Sequence, residues 1–124
     1  MRDFTVYPVR SAAILTTGYV AGTVVDTQGD YNQAIINVAF TIGSLTSAEL
    51  KIEFSNDGTN YYQETNPSVS AGITTETLAA HTWTATGNYR IPVPILDRYI
   101  KISIKGTGTV TSSSAAVTVN LGRV

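Results

Sequence analysis

The 124-residue chain contains no cysteine. That excludes disulfides, zinc–thiolate centres and thiol nucleophiles, and leaves the redox compartment unmarked. Histidine occurs once, as His81, in "AAHTWTA" with no acidic neighbour in sequence. A lone histidine on a strand reads as structural rather than catalytic. No serine stands in G-x-S-x-G, and nothing marks a Ser-His-Asp triad, whose members need only meet in space. There is no phosphate loop and no dinucleotide fingerprint. These absences lead us to expect no enzyme, no cofactor and no metal site.

Charge is also scarce. Charged residues make up 14% of the chain, against about 25% in an average domain. The net charge is −1 with a pI near 5.7, and the basic residues do not cluster. A phosphate-binding stripe is therefore missing, and no nucleic-acid partner is expected. Threonine, serine and asparagine fill the gap. Such a surface desolvates more cheaply than one rich in lysine and glutamate, which suits broad contact with partners. It equally suits a small β-protein with a neutral surface. No apolar run reaches the roughly 18 residues of a spanning helix, so no membrane partner is expected. The opening "MRDFTVYPVR" has no apolar h-region and no secretory cleavage pattern.

What the chain does have is alternation. "AIINVAFTI" places Ala34, Ile36, Val38, Phe40 and Ile42 on one face, with Asn37, Ala39 and Thr41 on the other. "ELKIEFS" turns Leu50, Ile52 and Phe54 inward, with Glu49, Lys51 and Glu53 outward. "RYIKISIK" does the same with Ile100, Ile102 and Ile104. "AVTVNLG" offers Val117, Val119 and Leu121. A period of two with one polar face is the pattern of half-buried antiparallel sheets. Weaker strands are expected in "AAILTT", "YVAGTVVD", "NYYQE", "TETLAAHTWTA" and "NYRIPV". Turn signals are read at Gly29-Asp30, Gly43-Ser44, Asp57-Gly58, Asn66-Pro67, Gly87-Asn88 and Gly106-Thr107-Gly108. Pro92 and Pro94 assign their segment to an edge or a crossover. The whole reads as all-β, an antiparallel β-sandwich or jelly roll of about eight strands. Residues 13–124 form the sandwich. Residues 1–12 are either an edge strand or an arm that docks on a neighbour, because Pro8 spoils a central strand while Phe4, Val6, Tyr7 and Val9 are apolar.

Candidate contact residues follow. Arg2, Phe4, Tyr7 and Arg10 lie on the N-terminal segment. In "FSNDGTNYYQ", Asn56, Asp57 and Asn60 crowd a strong turn signal, which is either a tight turn with Gly58 at positive φ or a ligand loop. One carboxylate among amides and hydroxyls is a poor calcium loop. Tyr61 and Tyr62 point to opposite faces of a strand, one into the core and one out. Trp83 either packs inward or forms a stacking platform for a sugar.

Four pieces stand in order: "DTQGDYNQAIINVAF", "FSNDGTNYYQ", "DRYIKISI" and the tail "AAVTVNLG". This order resembles the jelly-roll cement or decoration proteins of tailed-bacteriophage capsids, over residues 26–122. The resemblance implies a virion protein made in the host cytoplasm that binds the capsid surface. It also implies the major capsid protein as partner and a homo-oligomer, dimer or trimer. Arg98-Tyr99 would enter a late core strand, with Arg98 free for a carboxylate or carbonyl. Some pieces are also similar to discoidin-type galactose-binding jelly rolls, which implies the alternative of a carbohydrate-binding or receptor-binding module, for example of a phage tail. This chain has Tyr61-Tyr62 where those have tryptophan, is shorter, and lacks their cysteines.

Overall fold

A computed structural model describes residues 3–123. Among them there is no helix. The strands are β1 (Asp3–Ala13), β2 (Val20–Ala21), β3 (Val25–Asp26), β4 (Gln33–Thr41), β5 (Leu45–Ser55) and β6 (Tyr62–Gln63). They continue with β7 (Thr65–Ser70), β8 (Ile73–Leu78), β9 (His81–Trp83), β10 (Gly87–Pro94), β11 (Tyr99–Gly108) and β12 (Ser114–Arg123).

Two sheets face each other. One has the order β1-β12-β4-β10. In the other, β11 and β5 are central, β2 and β3 share the far edge of β11, and β6 and β9 share the far edge of β5. Counting each shared edge as one broken strand, the sheets follow the chain order 1-8-3-6 and 2-7-4-5. That is the double Greek key of a jelly roll. All pairings are antiparallel.

The core lies between the sheets. Ile36, Val38 and Phe40 of β4 meet Leu50 and Ile52 of β5, Ile100 and Ile102 of β11, and Val117 and Val119 of β12, all buried. The four alternating segments hold this core as expected. Phe54 is a correction: it is half-buried and packs against the rim of the core. Alternation gave its direction but not its place at the end of β5, where cover runs out.

Several turn signals were wrong. Asn66-Pro67 lies inside β7, and the turn is Ala71-Gly72, with φ of 51° and 76°. Left-handed conformation at both central residues is the type I′ hairpin geometry, whose twist matches the strands. Gly106-Thr107-Gly108 belongs to β11 and pairs with β5, and a register shift at Gly108 marks a bulge. "TETLAAHTWTA" is not one strand; it breaks at Ala79-Ala80 into β8 and β9. "AAILTT" and "YVAGTVVD" contribute only the short pieces β2 and β3 beyond the end of β1. Pro92 and Pro94 lie on an edge strand, β10, as expected.

Candidate functional site

The N-terminal segment is built into the molecule. β1 pairs with β12 from Asp3↔Arg123 to Ala13↔Ala115, with register shifts around Arg10. Pro8 is tolerated because β1 is an edge strand and its ladder is already irregular there. Tyr7 points inward against the core, while Phe4 remains 65% exposed. Arg10 is not a free contact. Its Nε donates to the carbonyl of Ala115 at 3.0 Å, and its Nη2 donates to those of Ala13 and Ile14. Arg2 lies outside the described residues.

The "SNDGTN" loop is closed on itself. Asp57 accepts hydrogen bonds from Ser55 Oγ at 3.0 Å, from the backbone N–H groups of Thr59 and Asn60 at 2.9 Å, and from Asn60 Nδ2 at 2.9 Å. These donors, led by the backbone N–H of Asn60, hold its carboxyl well below the usual carboxylate range. The buried Ser55 hydroxyl also accepts from the N–H of Gly58, whose φ is 75°. Both carboxylate oxygens are engaged, so the loop does turn chemistry. No group of three His, Asp or Glu side chains suited to a metal occurs among the described residues. Asn56 and Tyr62 are exposed beside the loop. Tyr61 is half-buried, with Lys101 Nζ 4.1 Å from its ring centroid.

Trp83 takes the inward one of its two readings. It is 9% exposed and stacks on Tyr89, with centroids 4.9 Å apart, and it lies 6.1 Å from Phe40. It closes one end of the core and offers no platform. His81 has Glu64 as a partner at 3.2 Å, which sequence distance concealed. The pair sits where β7 leaves and β8 returns, beside the Ala79 N–H to Glu64 carbonyl bond of 2.8 Å. It braces that junction. No hydroxyl joins it among the described hydrogen bonds.

The two outer faces of the sandwich differ sharply. On the β11–β5 sheet, outward positions carry Lys51, Lys101, Lys105, Glu49 and Glu53. Lys105 pairs with Glu49 and Lys51 with Glu53, both at 3.6 Å. Lys51 and Lys105 also flank the Tyr19 ring, whose hydroxyl donates to Glu49 at 3.0 Å. Burial, that hydrogen bond and the Glu49 charge push the Tyr19 pKa up to about 12. Arg98 takes a carboxylate, that of Asp26, through two hydrogen bonds at 2.9 and 3.1 Å. This is a solvated, self-satisfied face.

The outer face of the other sheet is nearly uncharged. Its register gives the rows Phe4–Gly122–Gln33–Pro94, Val6–Asn120–Ile35–Pro92, Pro8–Thr118–Asn37–Arg90 and Ala116–Ala39–Asn88. In these rows Arg90 is the sole charge, and it has no ion pair or hydrogen bond among the described residues. Open grooves cross the face, one beside Asn37 and Arg90, one along Ile35 and Pro92, one beside Phe4 and Asn120. Phe4 and Val6 stand out at 65% and 62% exposure. Apart from Phe4 and Val6, the sequence reading missed these residues. The signal was present: the outward positions of "AIINVAFTI" are uncharged, whereas those of "ELKIEFS" are all charged.

A second unpartnered element is the hairpin β7–β8. It pairs with neither main sheet, and every residue in both strands is exposed. Val69, Ile73 and Leu78 are 70%, 66% and 69% exposed.

No family model matches the sequence, and no curated protein matches it either. Solved structures share its shape. SPBc2 prophage-derived protein YomS is 16% identical, aligned over 98% of this chain and 95% of that one, with a TM-score of 0.59. PBSX exported protein XepA is 15% identical, with 97% of this chain aligned to 37% of that one and a TM-score of 0.63. A chain of the disulfide-linked pili of Bacillus endospore appendages is 8% identical, with coverage of 100% and 90% and a TM-score of 0.50. At these identities the likeness is one of fold: the chain is an antiparallel β-sandwich of jelly-roll type.

Proposed function

We propose that the chain is a non-enzymatic structural protein of a phage particle, a cement or decoration protein that binds the head shell as a dimer or trimer. The observation that carries this reading is the uncharged outer face of the β1-β12-β4-β10 sheet. A face with one charge in its paired rows loses little on leaving water, and its apolar rows around Phe4, Val6 and Ile35 gain from cover. The likeness to a prophage-derived protein supports the setting. The chain would be made in the host cytoplasm and join the capsid surface through the major capsid protein. Its work would be mechanical, since many modest contacts repeated over a lattice hold without high affinity at any one of them. Trp83 offers a glycan no platform, which leaves the carbohydrate-binding alternative without its main support.

The test is the composition of purified virions. The reading expects this chain in copy number comparable to the major capsid protein, and expects Ile35→Lys to abolish assembly onto stripped heads, through the contact with the shell or the contact between copies, while the fold is kept. Absence from virions, or presence only at tail stoichiometry, overturns it.

A further inference from the structure

The hairpin β7–β8 is an oddity in a molecule with an adequate core. A lone two-stranded ribbon is marginally stable in water at best. Here the ribbon is stapled at its base by the Glu64–Ala79 backbone bond, by Gln63 Nε2 donating to the Ala79 carbonyl at 2.7 Å, and by the His81–Glu64 pair. Beyond that base it pairs with neither sheet. Its register puts Thr65, Leu78, Pro67, Glu76, Val69 and Thr74 on one face and Asn66, Thr77, Ser68, Thr75, Ser70 and Ile73 on the other. The first face thus gathers Leu78, Pro67 and Val69 around a single central acid, between two threonines, and the second is polar except for Ile73 beside the turn. Like Arg90, Glu76 has no ion pair or hydrogen bond among the described residues.

The outer sheet face is the converse surface: rows of apolar and uncharged polar residues with a single base, Arg90. The ribbon's six-residue strands extend about 20 Å, enough to lie along its rows. Edge-to-edge addition to this sheet is a poor alternative. β7 carries Pro67, β1 carries Pro8 with bulges beside it, and β10 carries Pro92 and Pro94, which interrupt an open ladder. Face-to-face packing has no such obstacle. Within one chain the ribbon leaves the edge of the other sheet and leaves its own face uncovered.

Resting on the reading above that this face is an interface, we infer that its occupant is a second copy of the chain. The face of one copy's β7–β8 hairpin that carries Leu78, Pro67 and Val69 seats on the β1-β12-β4-β10 face of another, with Glu76 against Arg90. The contact joins two different surfaces. Given reciprocally it makes a dimer, and passed around a three-fold axis it makes a trimer.

The experiment is a charge exchange read by sedimentation of the purified full chain over a concentration series. Wild type should form a closed oligomer. Glu76→Arg and Arg90→Glu should each weaken it at least about tenfold by setting like charges together. The double variant should recover most of the loss. Replacing residues 66–77 with a short glycine-serine turn should yield a folded monomer. A wild-type monomer at all concentrations overturns the inference, as does an oligomer indifferent to the ribbon or a double variant no better than the singles. Stripped-head binding by a wild-type monomer would sink the exchange while leaving the cement reading intact. An oligomer that forms as described but is missing from virions would do the reverse.

Discussion

The Trp83 ring lies on that of Tyr89, with 4.9 Å between centroids and 19° between planes. The two residues come from different sheets, so the stack pins β9 to β10 across one end of the sandwich. Offset stacking adds about 0.5–1.5 kcal/mol to the area that such rings bury. Trp83→Ala should therefore destabilise by about 3–5 kcal/mol. Trp83 is the sole tryptophan, so its emission reports the site directly. It should be blue-shifted and poorly quenched by acrylamide in the native protein. Emission at the wavelength of free indole would contradict the stack.

Burial separates two residues that alternation treats alike. Ile52 is fully buried and Phe54 only half so. Ile52→Ala should cost about 2–5 kcal/mol in urea unfolding. Phe54→Ala should cost clearly less, although it removes more atoms. Equal losses would mean that the end of β5 is better covered than described.

Two turn glycines should also differ. Gly43 has φ of 55°, and a Cβ there would press into the carbonyl of Ser112. Gly72 has φ of 76° but open space around it. Gly72→Ala should cost about 1–2 kcal/mol, the ordinary price of left-handed backbone. Gly43→Ala should cost more than that, because the β4–β5 turn must also move off Ser112. Thermal melts of the two variants decide the order.

Asp57 sets an acid dependence. Its folded pKa is depressed by the donors of its own loop. Such a group stabilises fully above its unfolded pKa, about 3.9. The contribution fades as pH falls through the folded value, where the unfolded chain already binds the proton. Wild-type melting temperature should thus fall below about pH 4, and Asp57→Asn should flatten part of that fall while lowering stability at neutral pH. Asp57 exchanges hydrogen bonds with its own loop, so a chelator should leave the melt unchanged. An Asn variant with an acid limb identical to wild type would show that other carboxylates carry it.

The core was legible in the sequence because four segments alternate with large apolar residues on one side, and burial follows side-chain direction. Edges and turns were less legible. Asn66-Pro67 looks like a turn because proline stops a central ladder, yet on a detached ribbon there is no further ladder to stop. Gly106-Thr107-Gly108 looks like a loop because glycine weakens strands, yet Gly106 lies where Leu45 and Leu15 leave no room for a side chain. Trp83 was ambiguous because alternation cannot say which side of a short strand faces the core until its neighbours are known. The uncharged face needed the pairing of β1, β12, β4 and β10, which joins residues from opposite ends of the chain.

That last pairing also governs how the molecule comes into being. β1 emerges from the ribosome ahead of every other strand described, and its ladder partner β12 emerges behind them all. Until β12 arrives, β1 has no edge to join, and Val9 and Tyr7 have no finished core to enter. Contacts of such long sequence separation put folding of an all-β domain in the millisecond-to-second range, slower than helical bundles. A nascent chain halted before residue 114 should therefore be a client for holding chaperones rather than a partly assembled sandwich.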